Sequence, residues 1–336
     1  MSGSSIPYHL RPHKAVDRRI FLDLLRIFER WRPLQNDAYV SMGAYPLEDH
    51  RLVHRLLGIK QLLAFDMDEE VVARQKFNRP IEMMQCIKMT SGDLVKDFET
   101  VLDGCNYTYN GVVVWLDYTS PKEIGEQLRE FSSLISKLRP GDVVRITVNA
   151  HPEEERPRFG GKPKPAEQRR DQQFQLLKEK IADYLPSRAS SDDMTTERLP
   201  KVLAGAIADA ALKAIPVSGT SIFAPLSIIR YADGQQMLSV TGTIAEKAKL
   251  AEMRKTLEVS NWQFMSPNWT TIHHLVVPDL TLRERLFLER IVGQRTDEEI
   301  IEELGFKKAG EIDVNSFLKS YRAYYRFYPT LLAADL

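Results

Sequence analysis

The sequence predicts an α/β fold built on a mainly parallel sheet that ends in an antiparallel pair of strands. Two observations carry this prediction. Between residues 38 and 148, short β-rich runs alternate with amphipathic helical runs, as in right-handed βαβ crossovers. From residue 220, two β-rich runs are joined by a turn that contains Asp233-Gly234, a dipeptide that favours a hairpin.

The elements follow one another in regular order. The predicted strands are 38–42, 61–65, 81–89, 111–116, 142–148, 220–231 and 236–243. The predicted helices are 47–57, 68–77, 121–138, 167–185 and 198–213. Residues 246–336 are expected to be helical, and Thr281 and Glu284 have the spacing of a capping box.

The composition is that of an ordinary globular protein. The chain has 336 residues, of which 43% are hydrophobic and 27% charged, which excludes a disordered chain. Its 46 basic and 46 acidic side chains cancel, so binding of nucleic acid needs a local basic patch. Two cysteines and the absence of an apolar leader favour the cytoplasm. No run approaches the roughly 20 apolar residues of a membrane span, so no membrane partner is expected.

These patterns divide the chain into three parts. Residues 1–36 form an N-terminal helical lead-in, 37–245 the sheet domain with a helical insertion at 152–215, and 246–336 a helical appendage. The insertion leaves the sheet at its ligand-binding edge, so we expect it to be a lid or to contact substrate. Its basic stretch 156–170 is a candidate for nucleic-acid contact, although the acidic residues 153–155 favour a plain exposed linker.

Acidic residues follow the predicted parallel strands, where open α/β sheets bind ligands. Asp66, with Met67 beside it, ends the second strand and suits a ribose diol. Asp93 follows the third strand and suits an adenine amino group, with Leu94 packing beside the ring. For both carboxylates the alternative is a helix cap, a role that Asp68 would also fill.

Together these positions resemble the class I S-adenosylmethionine-dependent methyltransferases over about residues 35–150 and 220–245. Segments 39–50, 65–68, 74–80 and 115–118 are similar to a narrower group of methyltransferase-like bacterial proteins. The resemblance implies a Rossmann-like seven-stranded sheet that closes with a hairpin. It also implies S-adenosylmethionine as the cofactor.

The first loop of that family carries an acid and then a glycine-rich turn. In this chain Ser41 stands at the position of the acid and Gly43 at the position of the first glycine. Tyr45 and Leu47 stand where further glycines are usual. Only Gly43 permits the close backbone approach that glycine allows. Glu48 or Asp49 is therefore expected to replace the missing acid at the cofactor.

Asp117-Tyr118 stands where amino-methylating members carry an acid or amide beside an aromatic residue. The resemblance implies that Asp117 accepts a hydrogen bond from the methyl acceptor and that Tyr118 orients it. The alternative is that Asp117, together with Ser120, caps the helix that begins near Pro121.

Basic residues ahead of the first helix are a further candidate for binding. In the family the N-terminal segment lies over the cofactor pocket, so Arg11 and Lys14 are expected to meet a carboxylate or phosphate of a ligand. The alternative is a solvated lead-in. His50 and His54 have a spacing that can hold a metal, but Arg51 replaces the glutamate of the zinc-protease motif, and no metal is expected.

The C-terminal region carries a tyrosine stripe at the spacing of one helix face. Its members are Tyr321, Tyr324, Tyr325 and Tyr328. Such a face packs on the body of the protein or docks a protein partner, including a second copy. Residues 296–306 have a helix-turn-helix rhythm, but the second helix is acidic and does not suit DNA.

Two functions compete on this evidence. The first is an S-adenosylmethionine-dependent methyltransferase whose acceptor, whether nucleic acid, protein or small molecule, is unknown. The second is a non-catalytic Rossmann-like binding or assembly subunit of a multigene bacterial system such as phage defence. Acids after four strands favour the enzyme, and the missing glycines favour the assembly subunit.

Overall fold

The computed structural model describes residues 12–152, 165–257, 262–278, 280–309 and 312–328. Its strands are β1 Ala38–Ser41, β2 Gln61–Asp66, β3 Gln85–Lys88, β4 Val112–Asp117, β5 Val143–Asn149, β6 Ser221–Asp233, β7 Gln235–Glu246, β8 His273–Leu275, β9 Lys308–Ala309 and β10 Ile312–Asp313. Its α-helices are α1 Pro12–Phe28, α2 Glu48–Leu57, α3 Glu69–Asn78, α4 Ser91–Lys96, α5 Phe98–Gly104, α6 Ile124–Ile135, α7 Ala166–Ile181, α8 Leu199–Ala214, α9 Leu250–Thr256, α10 Leu282–Ile291, α11 Asp297–Leu304 and α12 Val314–Tyr324.

The central sheet has the strand order β3-β2-β1-β4-β5-β7-β6-β8. Strands β1 to β5 pair in parallel, β7 joins β5 antiparallel, and β6 and β7 form the hairpin. The predicted α/β fold, with its hairpin, is confirmed, and β8 adds an eighth strand to the seven that the resemblance implied. Because the chain builds outward from β1 to β3 and then returns to add β4 on the other side, the strand order switches direction between β1 and β4. Such a switch point opens the crevice in which α/β sheets bind ligands.

The sequence prediction is wrong at several boundaries. The strand expected at 81–89 is only β3, because a turn closed by Met84 N–H on the Ile81 carbonyl precedes it (3.2 Å). The helix expected at 121–138 begins as the 3-10 turn Pro121–Glu123 and ends at Ile135. The region after residue 246 is not purely helical, since β8 pairs in parallel with β6 and β9 pairs with β10.

Helical layers cover both faces of the sheet. Helices α4, α5, α6 and α8 pack on one face, where Val114 and Ile146 lie. Helices α1, α2 and α3 pack on the other, against Val113 and Trp115. Neighbouring residues of a strand face opposite sides, so burial on both faces explains the continuous apolar run that predicted β4. β5 is buried along its whole length as well, although it carries Arg145, Thr147 and Asn149.

The C-terminal helices form a third core beside β6 and β8. The capping box at Thr281 and Glu284 is confirmed. The tyrosine stripe is not a single helical face, because α12 ends at Tyr324 and a 3-10 turn follows. Tyr321, Tyr324 and Tyr328 are nevertheless buried against the rest of the chain.

No helix among the described residues is long and apolar enough to cross a membrane. The division of the chain at residues 37 and 245 stays a prediction. The loop that carries most of the basic patch, residues 153–164, lies outside the described part of the chain.

Candidate functional site

The carboxyl ends of β2, β1 and β4 lie side by side at one edge of the sheet. β1 pairs with β2 on one side and with β4 on the other. Asp66, Ser41 and Asp117 are the last residues of these three strands. The structure therefore brings three of the predicted site residues to the switch point of the strand order.

The loop between β1 and α2 has an uncommon backbone. Gly43, Ala44 and Leu47 have positive φ angles of 68°, 45° and 52°. Left-handed backbone is uncommon for residues other than glycine, and such strain clusters at functional sites. A side chain at Gly43 is also excluded by space, because a Cβ there would lie 2.7 Å from Cε1 of His50. Packing against His50 thus accounts for Gly43, and its contact with a cofactor stays a prediction.

Side chains of α3 hold this loop in place. Gln75 is buried, and its Nε2 donates to two carbonyl oxygens of the loop at 2.9 and 3.2 Å. Asn78 donates to the Tyr45 carbonyl at 3.0 Å, and the Arg74 guanidinium lies 3.4 Å from the centre of the Tyr45 ring. The loop is therefore fixed before any ligand arrives. Whether Tyr45 meets the cofactor stays a prediction.

Asp49 is one candidate for the missing acid, and its carboxylate has hydrogen-bond partners within the chain. It is buried, accepts from the Tyr39 hydroxyl at 2.9 Å and lies 3.3 Å from Nδ1 of His50. Burial alone would raise the pKa of Asp49, but the nearby charge and hydrogen bond of His50 outweigh it and hold that pKa well below its ordinary value. Ser41, at the end of β1, is buried beside this network.

The two histidines of α2 bind carbonyl oxygens. Nε2 of His50 lies 3.0 Å from the Leu63 carbonyl, and Nδ1 of His54 lies 2.9 Å from the Ile59 carbonyl. Both ring nitrogens of His50 therefore have protein partners. The structure gives these histidines a role in holding α2 against the sheet.

Helix α1 brings basic side chains to the same edge. Lys14 and Arg18 lie within α1 and are buried, so the alternative of a solvated lead-in is wrong for them. Lys14 Nζ donates to Oδ2 of Asp117 at 2.8 Å, and Arg18 Nη1 donates to Oε2 of Glu48 at 2.5 Å. This helix thus joins the end of β4 to the start of α2. Arg11 lies outside the described residues.

Asp66 is half buried at the end of β2, and burial raises its pKa above the ordinary value. Its Oδ1 accepts the Asp68 backbone N–H at 2.9 Å. Asp68 in turn caps α3, so the capping role weighed for Asp66 belongs to Asp68. A carboxylate offers about four lone-pair sites, which leaves Asp66 acceptors for a ligand. Met67 beside it is 72% exposed, an apolar side chain open to the solvent.

Asp93 takes part in a helix cap. The Thr90 hydroxyl accepts the Asp93 backbone N–H at 3.1 Å and donates to Asp93 Oδ2 at 2.7 Å. Thr90 is thus the cap of α4 and Asp93 is the third residue of that helix, so the alternative in which Asp93 itself is the cap is wrong. Leu94 has no exposed surface. Contact of Asp93 and Leu94 with an adenine stays a prediction, and for Leu94 it needs the covering side chains to move.

Asp117 and Tyr118 belong to different sides of the sheet. Asp117 pairs with Lys14 of α1, whereas the Tyr118 hydroxyl donates to Glu130 of α6 at 2.5 Å. Burial and the Glu130 carboxylate raise the pKa of Tyr118 well above its ordinary value, so the phenol stays protonated. The 3-10 turn after Ser120 has no side-chain cap, so the capping alternative for Asp117 is wrong. The joint role of the pair at the acceptor stays a prediction.

Sequence reasoning missed a buried ion pair behind the site. Arg145 lies in the middle of β5, and its Nη2 donates to Oδ2 of Asp17 at 2.5 Å with both side chains buried. The Arg145 guanidinium also lies 4.9 Å from the rings of Phe21 and Trp115. The available signal was a charged residue inside a fully buried strand, which is rarely found unpaired.

Comparison with models of known protein families gives a match to this chain. A family model described as "Putative O-methyltransferase" matches residues 6–336. Among curated proteins no match is found.

Several solved structures match this chain at low sequence identity and low TM-score. A complex of Trm1 from Pyrococcus horikoshii with S-adenosyl-L-methionine is 12% identical, with 93% of this chain and 81% of that chain covered and a TM-score of 0.42. N-methyltransferase NodS from Bradyrhizobium japonicum WM9 is 11% identical, with coverage of 69% and 97% and a TM-score of 0.32. A LepI complex with SAM is 10% identical over 66% of this chain, with a TM-score of 0.35, and this chain spans 46% of its length. Likenesses this distant carry no information about activity.

Proposed function

The chain belongs to the family described as "Putative O-methyltransferase", and we propose from this membership that it transfers the methyl group of S-adenosylmethionine to an oxygen of its acceptor. The observation that supports the proposal best is the position of two acids. Asp66 and Asp117 end the strands on either side of β1, at the switch point where α/β sheets bind ligands.

The residues at the end of β2 fit the adenosine part of this cofactor. Asp66 keeps acceptor sites free beyond the one taken by Asp68, so its carboxylate suits the two hydroxyls of a ribose. The exposed Met67 side chain offers an apolar surface for a purine ring. Asp93 lies after the neighbouring β3, where it reaches the exocyclic amino group in this proposal.

The ion pairs of α1 fit the amino-acid part. Lys14 with Asp117 and Arg18 with Glu48 place two positive and two negative groups at the start of α2 and the end of β4. A zwitterionic α-amino acid is complementary to such a set, because its carboxylate attracts the cations and its ammonium attracts the carboxylates. Glu48 then takes the place of the acid that Ser41 lacks. Arg18, which the sequence placed in the basic lead-in without a ligand contact, adds a second cation.

Asp117 is the residue proposed to face the acceptor. Its Oδ1 is buried and finds no hydrogen-bond donor within the described part of the chain. A hydroxyl group held there satisfies this oxygen and is oriented by it. The bound cofactor supplies a methyl group on a positively charged sulfur, so the protein contributes alignment and a hydrogen-bond acceptor rather than a covalent step.

Both cysteines, Cys86 and Cys105, are buried and unpaired. Free thiols are typical of reducing compartments, which supports the proposed cytoplasmic location. Burial raises the pKa of Cys86 to about 11, so this thiol is unreactive at neutral pH. Neither cysteine takes part in the proposed transfer.

Calorimetry with S-adenosylmethionine and S-adenosylhomocysteine tests the proposal. We expect both to bind, and we expect Asp66→Asn to weaken binding by about 10- to 150-fold, the equivalent of roughly 1.5 to 3 kcal/mol for hydrogen bonds to a charged group. Asp68→Asn is the matched control, because it removes a charge two residues away and asparagine caps a helix equally well.

Equal loss of affinity in the two variants points to a general charge effect and removes Asp66 from the site. Absence of binding by the wild-type protein to both compounds contradicts the proposed cofactor. A folded protein with that result belongs to the class of non-catalytic assembly subunits. Circular dichroism of each variant shows that the comparison is made between folded proteins.

A further inference from the structure

Helix α1 turns a face with three buried charged side chains toward the sheet. Lys14, Asp17, Arg18 and Phe21 stand at positions i, i+3, i+4 and i+7 of this helix, and all four are buried. Lys14 and Arg18 reach the site at the end of β4 and the start of α2. Asp17 pairs instead with Arg145, in the middle of β5. The helix that carries the two cations of the site is therefore bound to the sheet through a carboxylate between them.

Arg145 is a fixed point of the sheet. Its Nη2 donates to Asp17, and its Nη1 donates to Oγ1 of Thr241 in β7 at 2.9 Å. In the register of β4 and β5, Arg145 lies beside Trp115, two residues before the level of Asp117. The distance along the sheet between the anchor of α1 and the acid at the site is thus set by the strands themselves.

Stability alone does not account for this ion pair. The Arg145 and Asp17 side chains are 1% and 0% exposed, and at such burial two apolar side chains of similar volume often stabilise a protein as well or better. Asp17 Oδ1 and Arg145 Nε also find no hydrogen-bond partner in the described part of the chain. What the pair provides is direction, because apolar contact is non-directional whereas an arginine–carboxylate hydrogen bond has a defined geometry.

Direction matters because the neighbours of Asp17 on α1 are the cations of the site. A shift of α1 by one residue would move Lys14 by about 1.5 Å along the helix and turn it by about 100°. Removal of Arg145 alone would also leave a buried carboxylate one helical turn from Lys14, where it competes with Asp117 for this ammonium. Arg145 thus fixes the helix and neutralises the acid that would otherwise attract Lys14.

From this arrangement we infer that Asp17 and Arg145 are positioning residues of the cofactor site. They set α1 so that Lys14 and Arg18 meet the amino-acid part of S-adenosylmethionine, and neither of the two touches the cofactor. The inference rests on the proposed function. It limits the effect of the pair to the amino-acid part of the ligand, because the adenosine part is proposed to bind at Asp66, at the end of β2.

Two ligands that share an adenosine part test the inference. S-Adenosylhomocysteine carries the amino acid and 5′-methylthioadenosine does not. Calorimetry is expected to show that the wild-type protein prefers S-adenosylhomocysteine by about 10- to 150-fold, the range for hydrogen bonds to charged groups.

The variant Asp17→Leu/Arg145→Met replaces the pair by apolar side chains and leaves no buried charge behind. It is expected to keep a cooperative thermal melt. Its preference for S-adenosylhomocysteine is expected to fall below about threefold, while its affinity for 5′-methylthioadenosine changes by less than about twofold. A wild-type preference in this variant overturns the inference. Equal weakening of both ligands overturns it as well, because it shows a general loss of structure.

An arginine–aspartate pair of the C-terminal helices supplies the matched control. Arg322 Nη2 lies 2.7 Å from Asp297 Oδ1. Asp297→Leu/Arg322→Met is expected to lower the melting temperature and to keep the wild-type preference between the two ligands. A preference that falls equally in the control and in Asp17→Leu/Arg145→Met overturns the specific role of the buried pair.

A milder variant serves if Asp17→Leu/Arg145→Met does not fold. Asp17→Asn keeps the shape of the side chain, but a neutral oxygen holds the guanidinium less tightly than a carboxylate does. The preference for S-adenosylhomocysteine is expected to fall by about threefold or more. A folded Asp17→Asn protein with the wild-type preference overturns the inference.

Failure of this inference and failure of the proposed function give different results. A wild-type protein that binds neither ligand contradicts the proposed cofactor, and the inference falls with it. A wild-type protein that binds both ligands equally leaves the adenosine site standing and overturns the role of α1 at the amino-acid part.

Discussion

The ligand edge of the sheet is the edge where β1, β2 and β4 end, and the C-terminal helical cluster consists of α10 to α12. The two regions differ in how their buried polar groups and helix ends are hydrogen-bonded. At the edge, Gln75 and Asp117 each hold a buried polar atom without a hydrogen-bond partner among the described residues. In the C-terminal cluster, α10 and α11 begin with complete capping boxes. The tyrosine hydroxyls of Tyr324 and Tyr328 donate to backbone carbonyls.

This difference separates a region shaped for a ligand from a region shaped for stability. A buried polar atom without a partner costs about 1 to 3 kcal/mol, and a left-handed residue other than glycine costs about 1 to 2 kcal/mol. Both kinds of cost occur at the β1–α2 loop and the end of β4, through Ala44, Leu47, Gln75 and Asp117, while in the C-terminal cluster the Tyr321 hydroxyl also lacks a partner among the described residues. Such costs persist where function requires them, and the better satisfied helices offset them.

The largest expected effect is on turnover at Asp117. Asp117→Asn keeps the shape and removes the charge, so methyl transfer is expected to fall by about 10² to 10⁴-fold, a larger loss than the loss of cofactor affinity. Asp313→Asn is the matched change in the C-terminal cluster, where the carboxylate only caps α12. It is expected to leave turnover unchanged, as measured with radiolabelled cofactor and an acceptor found by screening tRNA, protein extract and small phenols.

The ion pair complicates this variant, because Lys14 stays buried after its partner loses its charge. A double-mutant cycle with Lys14→Met separates stability from turnover. Removal of both charges is expected to restore much of the thermal stability but not the rate. Wild-type turnover in Asp117→Asn shows that this carboxylate takes no part in the reaction.

The next largest effect is the loss of unfolding free energy when a glycine with left-handed backbone is replaced by alanine. Gly43 and Gly305 have φ angles of 68° and 72°, but a Cβ at Gly43 meets His50 at 2.7 Å, whereas nothing lies within 4 Å at Gly305. Gly43→Ala is expected to lower the free energy of unfolding by about 2 to 5 kcal/mol and Gly305→Ala by about 1 to 2 kcal/mol. Urea denaturation measures both, and equal losses contradict the close packing at Gly43.

The sequence predicted the fold better than the site for a physical reason. Alternating apolar runs determine strands and helices locally, so β4, β5 and the hairpin were predicted within a few residues. Partners across the chain leave no local pattern, and Lys14 is 103 residues from Asp117. The short β8 was missed because its pairing with β6 decides its conformation more than its own sequence does.

A smaller effect on the free energy of unfolding is expected to distinguish two tyrosines of the C-terminal helical cluster. The Tyr324 hydroxyl donates to the Val276 carbonyl at 2.6 Å, whereas the Tyr321 hydroxyl is buried without a partner in the described chain. Tyr324→Phe is expected to cost about 0.5 to 1.5 kcal/mol of unfolding free energy, and Tyr321→Phe to be neutral or slightly stabilising. Thermal melts of the two variants decide this, and a larger loss in Tyr321→Phe contradicts the assignment.

The smallest expected effect is a pH dependence that belongs to the ligand edge alone. Burial raises the pKa of Asp66 above its ordinary value of 3.8, and only the ionised form accepts from both hydroxyls of a ribose. Affinity for S-adenosylmethionine is therefore constant at neutral pH, and it is about twofold lower when the pH equals that raised pKa. Because the pKa is raised, the decline begins at a higher pH than an ordinary aspartate gives. Asp66→Asn is expected to bind more weakly at every pH and to show no such decline. Calorimetry between pH 7 and the acid limit of the folded state measures both proteins, and parallel curves assign the pH dependence to another group.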